Sequence, residues 1–282
     1  MIKVRHLSKG FDDNQVLSDI NLDIRSGETM VILGPSGQGK TVLIKCLVRL
    51  LDPDHGSIRF DERDVLCLPR SMIQNWRRGV AFVFQENALF DYLNVRDNLG
   101  LFLKMHLQKP DREIDRDVRE ALAFVGLNGD VLEKFPEELS GGMKKRVAIA
   151  RAMLQKPRFL FFDEPTAGLD NGNSGKVREL IRMIHRESSA TIVIVTHDID
   201  LMREVADRVA LLKGGRVEFV GRPDELDSER IRSLYEDTDA PRPPMVSSED
   251  VDKVPEHAAA AVSPRKPPRD HRGSSSLLMT VG

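Results

Sequence analysis

A glycine-rich segment at residues 34–41 carries the strongest chemical signal in the sequence. It fits the pattern G-x-x-x-x-G-K-[ST], whose glycines let backbone N–H groups close around phosphates at the start of a helix. In that arrangement Lys40 reaches the β and γ oxygens, and Thr41 places its hydroxyl on Mg²⁺. The alternative is an ordinary structural turn. The segment predicts a triphosphate cradle built from eight residues: Gly34, Pro35, Ser36, Gly37, Gln38, Gly39, Lys40 and Thr41.

Two carboxylates follow an apolar run farther along the chain. Residues 159–162 are all apolar, and Asp163 and Glu164 come directly after them. An aspartate at the end of a strand suits coordination of Mg²⁺, and the neighbouring glutamate could orient and deprotonate an attacking water. Solvated acids that cap a core strand are the alternative. Together with the cradle, the pair predicts hydrolysis of the bound triphosphate with Glu164 as the base.

The segments that must position these residues indicate an α/β fold. An apolar strand at 29–33 precedes the cradle, and apolar residues at helical spacing follow it at 41–51. Farther on, a helix at 142–154 leads into an apolar strand at 158–162, and residues 173–195 repeat this order. Helices that alternate with fully apolar strands predict a parallel sheet covered on both faces.

Composition divides the chain into a folded domain and a tail. Helical patterns between about residues 90 and 155 indicate an insertion into the α/β core. Beyond residue 240 the sequence is rich in Pro, Ser and charged residues, and seven of its 15 prolines lie between residues 241 and 268. Such a segment cannot build a core. We therefore expect a folded domain at 1–239 and a disordered C-terminal tail at 240–282.

Composition also argues against several classes of protein. The sequence has no run of about 20 apolar residues, the length that a membrane-spanning helix needs, and its start lacks the pattern of a secretory signal. The net charge of −2 differs from the strongly basic charge expected of a protein dedicated to binding nucleic acid. We expect a cytoplasmic protein whose membrane role is peripheral. Its cysteines, Cys46 and Cys67, have no metal-ligand spacing and are expected to be reduced thiols.

A third motif, Leu-Ser-Gly-Gly-Met at residues 139–143, begins a helix. With the cradle and the paired carboxylates it resembles the signature of the ABC ATPase family, over roughly residues 1–235. The resemblance implies an Mg²⁺-dependent ATPase with the P-loop NTPase cassette fold, a mixed β core and a helical signature subdomain. It also implies a homodimer, in which Ser140, Gly141 and Gly142 of one subunit contact the γ-phosphate of ATP held by the other. Taken alone, a serine cap before two glycines would be the simpler interpretation.

Four further residues match positions of the ABC family one by one. Gln85 resembles the glutamine that senses Mg²⁺ and water, and His197 resembles the switch histidine that contacts the γ-phosphate. Asp170 resembles an aspartate at the dimer seam, and Phe11 resembles the aromatic residue that stacks on adenine, although it could be ordinary core packing. The resemblance then implies four catalytic residues: Lys40, Gln85, Glu164 and His197. It also implies three magnesium ligands: Thr41, Gln85 and Asp163.

Three positions depart from the commoner family pattern. Val42 stands where many relatives carry Ser or Thr, so it can offer the α-phosphate only its backbone N–H. Met143 replaces the commoner signature glutamine, and Asn171 follows Asp170 where proline is frequent. None of these changes removes a catalytic group, but the first predicts a modestly lower affinity for ATP.

Two stretches, residues 84–95 and 138–146, look like the Mla/Mce-type phospholipid transporter ATPases. Asp91 and Met143 stand where solute importers more often have Pro and Gln. The resemblance implies a subunit on the cytoplasmic face of the inner (plasma) membrane that drives phospholipid transport between membranes. Its implied partners are integral-membrane permease subunits and an Mce-domain lipid-binding protein.

Two alternatives remain open. One, within the family, is the ATPase subunit of a polar-solute importer, for example one for amino acids. The other is a soluble ABC protein that acts on nucleic acid or ribosomes. The second is disfavoured because the chain has one P-loop and one signature and lacks long coiled-coil or zinc insertions. No nucleic-acid partner is therefore expected.

The segment after Gln85 combines apolar and aromatic residues without a helical or strand period. Residues 88–93 include Leu89, Phe90 and Tyr92. The ABC resemblance makes this segment the socket for a coupling helix of the permease, and aromatic anchors are typical of interface hot spots. The alternative is that Leu89 and Phe90 pack the base of the helical insertion.

Overall fold

A computed structural model describes residues 1–12, 14–227 and 229–232. Its strands are β1 (Ile2–Phe11), β2 (Asn14–Ile24), β3 (Thr29–Leu33), β4 (His55–Phe60), β5 (Arg63–Asp64), β6 (Val80–Val83), β7 (Phe159–Asp163), β8 (Thr191–Thr196), β9 (Arg208–Lys213) and β10 (Arg216–Gly221). Its α-helices are α1 (Lys40–Leu47), α2 (Arg70–Arg77), α3 (Val95–Leu107), α4 (Asp111–Phe124), α5 (Gly141–Leu154), α6 (Asn171–Glu187) and α7 (Ile199–Val205). Single 3-10 turns lie at Gly129–Val131, Pro136–Glu138 and Pro223–Glu225.

The larger sheet has the strand order β10-β9-β3-β8-β7-β6, in which β10 alone is antiparallel to its neighbour. Both of its faces are covered. On β3, Val31 and Leu33 belong to one core cluster, whereas Met30 and Ile32 belong to a second cluster on the other face. The strands are apolar throughout because both faces of the sheet are buried. The prediction of a parallel sheet covered on both faces is thus confirmed.

The smaller sheet is antiparallel and has the order β2-β1-β4-β5. Its apolar residues, among them Val4 and Ile58, share one cluster with Leu43 of α1 and Ile32 of β3. The helix that follows the glycine-rich loop therefore packs between the two sheets. This burial fixes the start of α1 relative to the strands around it.

Helices α3, α4 and α5 form a helical layer beside the larger sheet. Leu99, Val118 and Val147, one from each helix, belong to the cluster that also contains Leu33 of β3. Helix α3 begins where the side chain of Asn94 accepts a hydrogen bond from the backbone N–H of Asp97. In the chain, α3 and α4 connect the sheet edge at β6 to the start of α5.

Several elements differ from the sequence-based expectations. Helix α1 ends at Leu47 rather than at residue 51, because Arg49 takes a left-handed conformation with φ of 58°. Strands β4 and β5 and helix α2 were not predicted. Helix α2 has only eight residues, so its apolar positions, Met72, Ile73 and Trp76, form a pattern too short to identify a helix in the sequence.

No helix in the described ranges is long and apolar enough to cross a bilayer. The expected tail at 240–282 lies outside the described residues.

Candidate functional site

The glycine-rich loop joins β3 to α1, and close contacts with other strands fix its two ends. A Cβ atom at Gly34 would lie 2.4 Å from the carbonyl oxygen of Leu212, and one at Gly39 would lie 3.0 Å from that of Val16. Gly39 also has φ of 90°, which glycine adopts at little cost. Gly37, with φ of 79°, has open space where a side chain would stand. The loop is thus fixed by β2 and β9 at its ends and open at its centre, as a phosphate cradle requires.

Lys40 begins α1 and turns its side chain back onto the loop. Its Nζ atom donates hydrogen bonds to the carbonyl oxygens of Gly34, at 2.8 Å, and Pro35, at 2.9 Å. The same atom lies 3.1 Å from Oε1 of Glu164, and 5% of the lysine side chain is exposed. A buried ammonium must be paired and hydrogen-bonded. A phosphate can take over these contacts, because its oxygens accept the same hydrogen bonds with more negative charge.

Thr41 and Asp163 meet across the site. Oγ1 of Thr41 donates a hydrogen bond to Oδ1 of Asp163 at 2.9 Å. Asp163 is buried at the end of β7, and burial raises the pKa of its carboxyl group, while the hydrogen bond from Thr41 acts in the opposite direction. A hydroxyl and a carboxylate side by side offer the oxygen ligands that Mg²⁺ prefers, and a cation would compensate the buried negative charge. The residues present therefore fit Mg²⁺.

Glu164 is held between Lys40 and His197. Its Oε2 atom lies 2.9 Å from Nδ1 of His197 and accepts a hydrogen bond from the backbone N–H of the same residue at 3.3 Å. Its own N–H donates to the carbonyl oxygen of Val195, and its φ of 43° is left-handed. Such a conformation costs on the order of 1–3 kcal/mol and is tolerated where the surroundings fix it. Contacts on both sides thus hold the carboxylate in place.

The strand order explains why these residues meet. Strands β3, β8 and β7 are adjacent and parallel, and near their carboxyl ends Leu33 pairs with Thr196 and Asp163 pairs with Val195. The glycine-rich loop, His197 and Glu164 each follow one of these strand ends. Open parallel sheets bind ligands along this edge. The arrangement can hold a triphosphate and place a carboxylate base beside it.

Other predicted residues lie on neighbouring segments. Gln85 is exposed two residues after β6, which is the strand next to β7. Phe11 ends β1, with Nζ of Lys9 lying 5.3 Å from the centre of its ring. Gln38 accepts a hydrogen bond from the backbone N–H of Gly214 through its side chain, which ties the loop to the turn between β9 and β10. Val42, with 8% exposure, packs into the core, as its apolar side chain favours.

The signature residues and Asp170 form a second cluster. Oγ of Ser140 accepts a hydrogen bond from the backbone N–H of Met143 at the start of α5. A Cβ atom at Gly142 would lie 2.5 Å from Cγ of Asn173. Asp170 caps α6 by accepting hydrogen bonds from the backbone and side chain of the same Asn173, and these bonds lower the pKa of its carboxyl group. Asn173 thus joins the start of α5 to the start of α6.

Sequence reasoning missed two cations on α5, Lys145 and Arg151. Lys145 is 1% exposed, and its Nζ atom donates to the carbonyl oxygens of Phe84 and Gln85. A signal was available, because the lysine shares a buried stripe with Gly142, three residues before it, and Ile149, four residues after it. A charged residue in such a stripe needs an internal partner.

The comparisons with known proteins extend this description. A family model described as ABC transporter matches residues 17–167. The probable ribonucleotide transport ATP-binding protein mkl of Mycobacterium leprae is 41% identical over 211 residues, which cover 75% of this chain and 60% of that protein. The methionine import ATP-binding protein MetN of Clostridium tetani is 38% identical over 80% of this chain and 70% of its own length. This chain therefore spans about 60% of the length of the first of these relatives.

Solved structures agree with the fold. A dimeric ATP-binding cassette in a post-hydrolysis state, bound to ADP and Pi, is similar with a TM-score of 0.73 and 31% identity, covering 79% of this chain and 99% of that chain. A component of the cbiONQ ABC transporter complex from Clostridium perfringens is similar with a TM-score of 0.72 and 34% identity, covering 86% and 96% of the two chains.

Proposed function

We propose that this chain, which belongs to the ABC transporter family, is the subunit that hydrolyses ATP to drive transport through separate permease subunits. As a member of that family it binds ATP with Mg²⁺. One observation carries the proposal: the cradle lysine, the buried aspartate and the Glu164–His197 pair converge on the carboxyl ends of three neighbouring strands. This is the arrangement that positions a triphosphate, a cation and a base together.

The proposed binding roles follow from the contacts. The backbone of residues 34–39 cradles the phosphates, Lys40 moves from its carbonyl partners to the β and γ oxygens, and the backbone N–H of Val42 faces the α-phosphate. Phe11 stacks on adenine. Mg²⁺, held by the oxygens of Thr41, Gln85 and Asp163, would neutralise charge on the phosphate oxygens. The hydrogen bond between Thr41 and Asp163 supports this assignment.

The proposed hydrolytic roles rest on the pair of Glu164 and His197. Glu164 orients and deprotonates the attacking water. His197 keeps the carboxylate in place through the contact between Nδ1 and Oε2, and contacts the γ-phosphate. Gln85 positions the water and the metal from the neighbouring segment. Positioning and charge stabilisation account for most of the catalysis in phosphoryl transfer, so these fixed contacts are the relevant ones.

The proposed active form is a homodimer. Ser140, Gly141 and Gly142 occupy the N-terminus of α5, whose N–H groups favour an anion. Because they lie in a cluster of their own with Asp170, we infer that they act on the nucleotide held by a second copy of the chain. The similarity to a dimeric cassette supports this inference.

We propose phospholipid as the cargo, carried between membranes by a complex on the cytoplasmic face of the inner membrane, with an Mce-domain protein as a further partner. The sequences at 84–95 and 138–146 support this cargo, since they resemble the Mla/Mce type. A second candidate is import of a polar solute. The names of relatives favour it, because they include import proteins for methionine and for sulfate or thiosulfate.

Reconstitution distinguishes the two cargoes. The chain is purified together with its permease and placed in vesicles that contain a phospholipid with a fluorescent headgroup. ATP-dependent movement of this lipid to acceptor vesicles, absent with Glu164→Gln, would support the lipid proposal. ATP-dependent uptake of methionine, sulfate or a ribonucleotide without lipid movement would replace it. Recovery of the chain with ribosomes or nucleic acid instead of membranes would contradict a transport role.

A further inference from the structure

The described part of the chain contains a buried lysine that has no part in the roles proposed above. Lys145 lies in α5, three residues after Gly142, with 1% of its surface exposed. Burial lowers the pKa of its amine to about 8. Enclosing a long cationic side chain is unfavourable unless its ammonium group is hydrogen-bonded. The contacts of its Nζ atom therefore indicate what the residue does.

Those contacts lie on the backbone just beyond β6. Nζ of Lys145 donates hydrogen bonds to the carbonyl oxygen of Phe84, at 3.1 Å, and to that of Gln85, at 2.6 Å. The ladder between β6 and β7 ends at Val83, paired with Phe162. The two carbonyl groups thus lie past the end of the ladder, where a backbone acceptor must find another donor. That of Phe84 also accepts from the backbone N–H of Asn87, and Lys145 is the donor to that of Gln85. A cationic donor makes a stronger bond than a neutral one.

A second cation of α5 bonds to two more carbonyl groups of the same turn. The guanidinium group of Arg151 donates to the carbonyl oxygen of Asn87 at 3.0 Å and to that of Ala88 at 2.8 Å. Asn87 and Ala88 have φ of 68° and 47°, and this left-handed conformation is unfavourable for alanine. Residues 84–88 are called the Gln85 turn below. Four of its five carbonyl groups are held by Lys145 and Arg151.

Gln85, at the centre of this turn, differs in the surroundings of its side chain and of its backbone. Gln85 is exposed, whereas its carbonyl group is bonded to the enclosed Lys145. The turn follows β6, which pairs with β7, and the end of β7 carries Asp163. The backbone from which the Gln85 side chain leaves is therefore held by Lys145 of α5. Catalytic groups need such placement, because a misplacement of about 1 Å can cost about 100-fold in rate.

We propose that Lys145 is a positioning residue for ATP hydrolysis, which fixes the Gln85 turn against α5 so that the Gln85 side chain stands at the proper place beside the site. The inference rests on the proposed function, since that function assigns Gln85 to the metal and the attacking water. That function gives Lys145 itself no contact with either. It also ties the turn to the helix whose first residues are the signature glycines.

The main test compares two lysines that are adjacent in the sequence. Lys145→Met removes the buried donor, whereas Lys144→Met makes the same substitution and charge change at a partly buried neighbour on the same helix. In the full chain we expect Lys145→Met to lower kcat for ATP hydrolysis by about 10- to 100-fold, with the Kd for MgATP within twofold of wild type. Lys144→Met should leave both values within twofold. A folded Lys145→Met variant with wild-type kcat would overturn the proposal.

A conservative variant covers the case in which Lys145→Met does not fold. Lys145→Gln keeps two N–H donors on a neutral side chain, and it should fold, with a smaller loss of kcat than Lys145→Met. If only its melting temperature falls and kcat per folded molecule stays at the wild-type value, the role of Lys145 is structural and the proposal fails.

A double-mutant cycle shows whether Lys145 acts through Gln85. The variant Gln85→Ala/Lys145→Met should hydrolyse ATP no more slowly than Gln85→Ala alone, because a missing side chain cannot be misplaced. If the two losses multiply, Lys145 acts by another route and the inference is wrong. If Gln85→Ala by itself leaves kcat unchanged, the assignment of Gln85 within the proposed function fails. The two kinds of failure are thus distinguishable.

Discussion

The Nζ atom of Lys40 lies 3.1 Å from Oε1 of Glu164, with 5% and 9% of the two side chains exposed. The cation of the phosphate cradle and the proposed base thus neutralise each other inside the protein. Removal of one partner leaves the other buried without its counter-charge, which is unfavourable. Glu164→Gln removes the charge but keeps the shape of the side chain and an oxygen that accepts from Lys40, so it tests the chemistry of Glu164 better than truncation does.

Glu164→Gln is expected to preserve ATP binding and nearly abolish turnover. The amide keeps the size of the side chain and can still bond to Lys40 and His197, but it cannot accept the proton of a water. Loss of a positioned base typically lowers the rate by about 10²- to 10⁴-fold. Steady-state hydrolysis and nucleotide titration measure the two effects, and size-exclusion chromatography should show an ATP-bound dimer. Glu62→Gln, at an exposed turn, is the control. Turnover within a few fold of wild type in Glu164→Gln would remove Glu164 from the catalytic role.

Thr41→Val should increase the Mg²⁺ requirement of the enzyme. The substitution keeps the side-chain shape but removes the hydroxyl that donates to Asp163 and is proposed to bind the metal. We expect at least a tenfold higher Mg²⁺ concentration for half-maximal hydrolysis, the equivalent of about 1.4 kcal/mol, with ATP binding in the presence of a chelator unchanged. Thr191→Val, at the other end of the sheet on β8, is a matched control. An unchanged Mg²⁺ titration would contradict the metal assignment.

The sequence was informative where one physical signal dominates. The apolar runs of β3, β7 and β8 predicted a parallel sheet. Because parallel strands end at the same edge of a sheet, the polar residues that follow these strands are expected to lie close together. The elements between α1 and β6 were missed because they are short: α2 has eight residues and β5 has two. Neither presents a hydrophobic period long enough to recognise.

The contacts between the site residues were harder to predict than the identity of those residues. Residue type places lysine at the surface by default, so the burial of Lys145 and its bonds to the Gln85 turn depend on the tertiary packing of α5 against β6. Likewise, the motif names Lys40 and Glu164 without stating that they form an ion pair. Such pairings are set by the strand order, which brings together segments that are distant in the sequence.

Gly142→Ala should destabilise the chain, whereas Gly141→Ala should not. A Cβ atom at Gly142 would lie 2.5 Å from Cγ and Oδ1 of Asn173, but one at Gly141 would meet Cδ2 of Leu169 at an ordinary 3.7 Å. Overpacking of this kind costs about 1–3 kcal/mol, and alanine is otherwise the better helix former. Thermal and denaturant unfolding of the two variants measure the difference. Equal stability would show that Asn173 moves aside at no cost.

The two cysteines should differ in reactivity. Cys46 is fully buried in α1, and burial raises the pKa of its thiol to about 12, whereas Cys67 is exposed. Since the thiolate is the reactive form, one thiol per native chain should react with an aromatic disulfide reagent at pH 8, and two after denaturation. Cys67→Ser should leave the native chain unreactive. Rapid reaction of two thiols in the native protein would contradict the burial of Cys46.

The segment after the Gln85 turn contains both core and exposed apolar residues. Leu89 packs against the core cluster that contains Leu33 of β3, whereas 40% of Phe90 and 76% of Tyr92 are exposed, with their ring centres 5.8 Å apart. The backbone of Phe90 is fixed by the buried Asn98, which accepts from its N–H at 2.8 Å and donates to its carbonyl oxygen at 3.0 Å. The chain thus presents two exposed aromatic rings, and the backbone of one of them, Phe90, is held by Asn98.

Phe90→Ala and Tyr92→Ala are therefore expected to weaken assembly with the permease without unfolding the subunit. Exposed aromatic anchors on fixed backbone are typical of interface hot spots, and a loss of about 2 kcal/mol or more, near 30-fold in Kd, marks one. Leu89→Ala is the contrasting control, because its loss should appear as a lower melting temperature of the isolated subunit. Binding of each folded variant to the purified permease, beside its melting curve and its affinity for ATP, measures both effects. If Phe90→Ala lowers the stability of the isolated subunit as Leu89→Ala does and still assembles normally when folded, Phe90 belongs to the core, and the coupling assignment fails for that residue.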